Sequence, residues 1–204
     1  DGQTALRVEV TVDEKLPNKL IGDDVRVTQV ILNLLNNAVK YTHKGKVFLD
    51  VSGKSEDDNT ELRISVRDTG IGIKEEDIPL LYRDFQRLDM NQNRNIEGTG
   101  LGLVITHRLA ELMNGRIEVS SVYGEGSEFV VYIPQKISGD ELIGNFEQRA
   151  SKANADEVEK VGNFSGYYYV LGGLISPFDD INPEDIELSN EYDENDIENN
   201  IENN

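Results

Sequence analysis

The chain has 204 residues, with 39 acidic against 20 basic side chains, a formal charge of −19 and no cysteine. Such an excess of negative charge repels a phosphate backbone or an anionic membrane surface, which excludes nucleic acid and lipid as main partners, while the missing cysteine excludes disulfides, thiolate metal sites and cysteine nucleophiles. The length suits one domain of about 100 to 150 residues with an appendage, and the charge divides the same way: residues 1–137 hold 22 acidic and 17 basic side chains, residues 138–204 hold 17 and 3.

In chain order, the first strong signal is the helical recurrence of Val27, Val30, Ile31, Leu34, Leu35 and Ala38, which predicts a helix over Asp24–Tyr41 with Asp23 and Asp24 at its start. Lys46–Ser52 and Glu61–Arg67 read as the strands of a hairpin, with Ser55–Thr60 as the polar turn. Gly98–Gly102 opens a second helix, its face formed by Leu101, Ile105, Leu109 and Leu112, and Asn114-Gly115 stops it. Arg116–Ser120 and Glu128–Ile133 make a second hairpin around Tyr123–Gly126, closed by Pro134. Helices interspersed with hairpins predict an α+β fold: a two-layer α/β sandwich whose mixed, mostly antiparallel sheet carries helices on one face.

Beyond residue 137 the pattern weakens. Residues 138–178 read as a linker or weakly structured extension, with a polar helical pattern over 140–160, and residues 179–204 are rich in Asp, Glu and Asn, a composition expected to be disordered. No apolar run approaches the roughly 18 residues of a spanning helix and no leader follows Asp1. The chain is therefore expected to be a soluble, cytoplasmic fragment that does not itself insert into a membrane; an anchor elsewhere in a longer protein stays open.

Three segments could carry chemistry. Asn33, Asn37, Lys40 and Tyr41 fall on one side of the first helix. Amide oxygens suit a magnesium ion already rich in phosphate ligands, and Lys40 can meet phosphate charge, although the same residues also make an ordinary solvated face. Asp68-Thr69-Gly70-Ile71-Gly72-Ile73 ends a strand, where a carboxylate can accept a hydrogen bond from an exocyclic amine and two glycines let the backbone approach a ligand; alone, it is equally a strand-to-loop turn. Gly98-Thr99-Gly100-Leu101-Gly102 precedes a helix whose N–H groups can hold phosphate oxygens. It is neither a P-loop, since no Gly-Lys-Ser/Thr follows, nor a dinucleotide fingerprint, since no βαβ unit surrounds it.

Taken together and in this order, the segments resemble the catalytic, ATP-binding domain of sensor histidine kinases. Asn33-Leu-Leu-Asn-Asn-Ala-Val-Lys-Tyr-Thr is similar to that family's N box, Asp68-Thr-Gly-Ile-Gly-Ile to its G1 box and Gly98-Thr-Gly-Leu-Gly-Leu to its G2 box. Phe85 stands where the F box would be, and Gly124-Glu-Gly-Ser-Glu-Phe resembles the element before the last strand. The resemblance covers residues 1–137.

It implies ATP and Mg2+ as cofactors, Asn37 as a magnesium ligand, Lys40 on phosphate, Tyr41 against adenine and Asp68 bonding the adenine amine. Asn33, Asn37 and Lys40 are the implied catalytic group, Gly70, Gly72 and Ile73 shape the adenine pocket, and Gly98, Thr99, Gly100, Leu101 and Gly102 support the triphosphate. Gln86–Glu97 resembles the ATP lid, with Arg94 as a phosphate contact. In related ATPases the position of Asn33 is a glutamate that activates water, so asparagine disfavours hydrolysis. The implied reaction is transfer of the γ-phosphoryl group of Mg-ATP to a histidine on a separate dimerisation domain, within a two-component system or phosphorelay. The implied partners are that domain and a downstream response regulator or receiver domain. His43 and His107 lack an acceptor's context. Two alternatives stay open: an ATP-binding regulatory module that transfers nothing, and a serine kinase of the anti-sigma type.

Overall fold

The computed structural model describes residues 6–82, 101–145 and 186–189. Its first strand, β1 (Leu6–Val12), buries alternate residues Val8, Val10 and Val12, the period-two pattern of a strand with one covered face. β2 (Leu20–Ile21) is a short edge segment, and helix α1 (Asp24–Tyr41) follows. The helix starts where expected because the Asp23 carboxylate accepts the Arg26 N–H at 3.0 Å and so satisfies one otherwise orphaned donor. Its stripe of Val30, Ile31, Leu34, Leu35 and Ala38 is buried.

β3 (Gly45–Glu56) and β4 (Asn59–Asp68) form the predicted hairpin, but with longer arms. Only Asp57 and Asp58 turn, Asp57 with φ +51°, whereas Ser55, Glu56, Asn59 and Thr60 are paired in the ladder. The polar run predicted to be a turn is instead strand, because pairing outlasts the covered face and polar side chains are tolerated there.

Helix α2 (Gly102–Leu112) ends at Met113, with Asn114 at φ +57° and the Gly115 N–H on the Ala110 carbonyl. The predicted apolar face is rotated in the structure. Val104, Thr106, Ala110 and Met113 are buried while Ile105 is 36% and Leu112 64% exposed; apolar residues occur on several sides of this helix, and the contacts with α1, β5 and β6 decide which are covered.

β5 (Arg116–Val122) and β6 (Gly126–Ile137) make the second hairpin, and β6 continues through Pro134. Proline is accepted there because, on the side away from β4, β5 pairs only as far as Tyr132 and β2 begins at Lys136, so the missing N–H falls in a gap. The last element, β7 (Ile186–Ser189), is a strand within the segment whose composition predicts disorder.

The sheet runs β2-β6-β4-β3-β1-β7 with β5 also on β6. It is antiparallel except that β1 pairs in parallel with both β3 and β7. α1 and α2 pack together over the face lined by Leu49, Ile64, Val66, Val131 and Ile133, giving the two-layer sandwich. After β6 the chain does not leave the domain. Residues 138–145 lie back along Glu14–Lys19 as an extended strap: the N–H groups of Ser138, Ile143 and Gly144 donate to the carbonyls of Lys19, Leu16 and Glu14, and the Asn18 N–H donates to the Glu141 carbonyl. The predicted helical pattern over 140–160 thus begins as extended chain at 140–145; the rest lies outside the described residues.

Candidate functional site

The site lies where three chain ends meet: the C-terminus of α1, the end of β4 and the start of α2. β4 delivers Asp68, 7% exposed, below the last turn of α1. Its Oδ1 accepts the Gly70 N–H at 2.8 Å and, at 3.5 Å, the Thr42 hydroxyl, and the Ser127 N–H also donates to the carboxylate. Burial pushes its pKa above the ordinary carboxylate value, and these three donors only partly offset that cost.

Glycine is required at two places here. An added Cβ at Gly70 would lie 2.3 Å from the Tyr41 carbonyl and 2.8 Å from Asp68 Oδ1, and one at Gly72, whose φ is +64°, would lie 2.1 Å from the Val122 carbonyl. The close approach at Gly70 lets the Ile71 N–H reach the Tyr41 carbonyl at 3.2 Å. The loop is pinned on its other side by Gly124 N–H to the Ile71 carbonyl and by Ile73 N–H to Ser121 Oγ at 2.7 Å. Gly70, Gly72 and Ile73 therefore form one rigid wall beside Asp68, with Ile73 partly buried against the core.

On α1, Asn33 and Asn37 both face the start of α2. Asn33 Nδ2 is 3.5 Å from the Gly102 carbonyl, a long contact, and a Cβ built on Gly102 would meet, among the described residues, only the Asn37 amide, at 3.7 Å. Leu101, the residue before α2, provides no side-chain cap for the first N–H groups of that helix. Lys40 Nζ lies 5.2 Å from the centroid of the Tyr41 ring. Arg94, Gly98, Thr99, Gly100 and Phe85 lie outside the described residues. The structure thus brings Asn33 and Asn37 against Gly102, beside Leu101, and sets Asp68 with the Gly70–Ile73 loop, Gly72 included, at the other end of the same helix face, where Lys40 and Tyr41 form the last turn of α1.

Sequence reasoning gave no role to Thr42 or Ser127, which are 2% and 8% exposed and hold the Asp68 carboxylate. Each stands within a quoted motif, but nothing in its spacing marks it as a partner of Asp68. His43 is exposed; His107 stacks on Tyr82, ring centroids 4.8 Å apart, with Nδ1 3.5 Å from Glu111.

The groups suit a nucleotide with a bound cation: a buried carboxylate for an amine, an amide oxygen for a hard cation, and the N–H groups of a helix start for anionic oxygens. Among the described residues, no helix is long and apolar enough to cross a membrane and no cluster of three or more His, Asp or Glu is placed to hold a metal.

Known proteins similar to this chain are sensor kinases. The chain is 45% identical over 114 residues to the sensor histidine kinase GacS of Pseudomonas protegens, covering 55% of this chain and 12% of the relative. It is 37% identical over 129 residues to the autoinducer 2 sensor kinase/phosphatase LuxQ of Vibrio cholerae, covering 62% and 15%. The chain therefore spans less than a fifth of the length of these relatives. Among solved structures, full-length ShkA in complex with AMPPNP is similar over 67% of this chain and 27% of its own, at 31% identity and TM-score 0.57. The mycobacterial sensor histidine kinase MprB matches over 65% and 84%, at 25% identity and TM-score 0.50. Residues 22–137 match the family described as histidine kinase-, DNA gyrase B-, and HSP90-like ATPase, so the ATP-binding ATPase domain, in the form found in sensor histidine kinases, is the family to which this chain belongs.

Proposed function

We propose that this chain is the catalytic domain of a two-component sensor histidine kinase and moves the γ-phosphoryl group of Mg-ATP to a histidine on a dimerisation domain. The observation that supports the reading is that one helix, α1, carries the amides of Asn33 and Asn37 against the start of α2 and, at its C-terminal end, Thr42, which with Gly70 and Ser127 holds the buried Asp68. A bound nucleotide supplies the transferable phosphoryl group and a bound magnesium ion draws off the negative charge that develops on it.

The residues have separable tasks. Asp68 accepts from the adenine amine, and its three internal donors hold it in place to do so. Gly70, Gly72 and Ile73 form the wall of the adenine pocket and Tyr41 lies against the ring. Asn37 offers its amide oxygen as the magnesium ligand, Lys40 brings positive charge to phosphate, and the α2 start, from Leu101 and Gly102, lends its N–H groups to the same oxygens. Gly98, Thr99, Gly100 and Arg94 are assigned to the triphosphate by motif. Asn33 carries no group able to take a proton from water, so the site orients and neutralises without activating a hydrolytic nucleophile. The acceptor histidine and a downstream receiver or response regulator are supplied by other segments or chains.

The test has two stages. Calorimetric titration with a non-hydrolysable ATP analogue should show binding that tightens with magnesium; a folded sample that binds nothing would overturn the reading. With a cognate dimerisation domain and radiolabelled ATP, acid-labile, base-stable phosphate should appear on the partner, whereas acid-stable phosphate would indicate a serine acceptor and binding without transfer a regulatory module.

A further inference from the structure

The C-terminal strand lies far in sequence from the site and has no part in the chemistry proposed for it. β7 pairs in parallel with β1 through Val8↔Ile186, Glu9↔Glu187, Val10↔Leu188 and Thr11↔Ser189. That register puts the two apolar residues of β7 in the rows of two core valines and its two polar residues in the rows of Glu9 and Thr11. A slip of one residue would exchange every such match, so the pattern specifies the pairing. We propose that the outer edge of β1 is a docking edge for an extended peptide of alternating apolar and polar residues, and that its occupant is this chain's own segment Ile186–Ser189.

Three observations support an occupant in cis. Val8, Val10 and Val12 of β1 are at most 7% exposed, so β1 is a core strand whose outer edge, left bare, would offer a row of unpaired N–H and C=O groups beside apolar side chains. Bare edges of this kind recruit strands from other molecules. The segment around β7 is suited to end the sheet: Pro183, Glu184 and Asp185 precede it, Asn190 and Glu191 follow, and the strand is four residues long. Short, proline-bounded and charge-flanked strands make poor templates for further pairing. Finally, the strap leaves the chain beside Glu14, just past the end of β1. Residues 146–185 are far longer than the dozen or so residues that a parallel return requires, so the same chain can reach the edge.

The docking edge therefore does two things. It closes the sheet, and it fixes the acid-rich C-terminal segment to the catalytic domain at a defined place rather than at the end of a loose tether.

Amide hydrogen exchange on the full chain tests this. In the unmodified protein the β7 amides should exchange at least about tenfold more slowly than those of residues 195–204, and equal rates would overturn the proposal. The double variant Glu187→Pro/Leu188→Pro removes two N–H donors from β7. It should raise exchange in β1 by about tenfold or more while leaving α1 and β4 protected, and a synthetic peptide spanning residues 183–192 should restore the lost protection. Unchanged β1 exchange in the variant would overturn the proposal. So would a dimeric parent that dissociates in the double-proline variant, because the strand would then come from a second copy.

Discussion

The N–H of Gly70 donates to the carboxylate of Asp68 at 2.8 Å, two residues back along the chain. One glycine thereby fixes the loop to the acid it serves, and with Thr42 and Ser127 it holds a buried carboxylate that has no cation among its partners in the described residues. Asp68→Asn keeps the size and an acceptor oxygen but places an amide where adenine's amine should donate. Nucleotide affinity should fall about tenfold or more, which corresponds to ~1.4 kcal/mol, with a melting temperature close to the parent's. Calorimetry and thermal denaturation of the same sample measure both.

Gly102 separates the site from the fold. Among the described residues, a methyl group there meets only the Asn37 amide, at 3.7 Å, and alanine favours the helix over glycine by about 0.8–1 kcal/mol in an interior position, less at an end. Gly102→Ala should leave stability unchanged or slightly raised while weakening nucleotide binding several-fold. Equal loss of stability and binding would mean the space is structural.

Gly70→Ala should behave in the opposite way. The new Cβ would stand 2.3 Å from the Tyr41 carbonyl and 2.7 Å from Thr42 Oγ1, so α1 and the loop must part, at a cost of about 1–3 kcal/mol. Urea denaturation should show this loss without any nucleotide present.

Asp50 gives a pH signature away from the site. Burial is the largest influence on it and raises its pKa above the ordinary value, against a hydrogen bond from Thr11 and the charges of Arg67 and Arg63. A carboxyl with a raised folded-state pKa takes up its proton in the native state before the unfolded state does. Its unfavourable contribution, full at neutral pH, is therefore relieved as pH falls through the folded value toward 3.8. The stability difference between Asp50→Asn and the parent should thus move in the parent's favour between pH 7 and pH 4; denaturant melts of both across that range measure the shift.

The strap contributes to the fold through Ile143, which packs against the core and donates its N–H to Leu16, itself 2% exposed. Ile143→Ala should cost about 1–2 kcal/mol, toward the lower end for a partly buried aliphatic residue. A neutral result in denaturant unfolding would mean that the strap only rests on the surface.

How much of this was legible in the sequence depended on how local each signal was. α1 was predicted to its ends because an acidic cap and a regular apolar stripe both lie within it. Asp68, Gly70 and Gly72 were found because chemistry and backbone freedom coincide in one short motif. β1 went unpredicted although Leu6, Val8, Val10 and Val12 alternate with polar residues as a half-covered strand does, whereas the two-residue β2 is too short to carry a pattern, and the roles of Thr42 and Ser127 depend on pairings between distant segments that no local spacing encodes. The covered side of α2 was misread for a related reason: Ile105 and Leu112 are as apolar as Val104 and Met113, and packing on α1 and the sheet decides among them.

The strap also has a mechanical meaning. A pull on Asn145 would load its backbone bonds one after another, beginning with Gly144 on Glu14, as a zipper opens. A pull on Leu6 instead loads the parallel ladder of β1 and β3 along its whole length, in shear. Tension arriving from beyond Ser189 would therefore meet the β7–β1 ladder first and, once that has parted, the strap, whose seven or so residues release about 20 Å of slack at ~3.3 Å each. Only when both have opened does the pull reach the end of β6 directly, so β7 and the strap stand in series, as two fuses, between the site and whatever pulls on the chain beyond them.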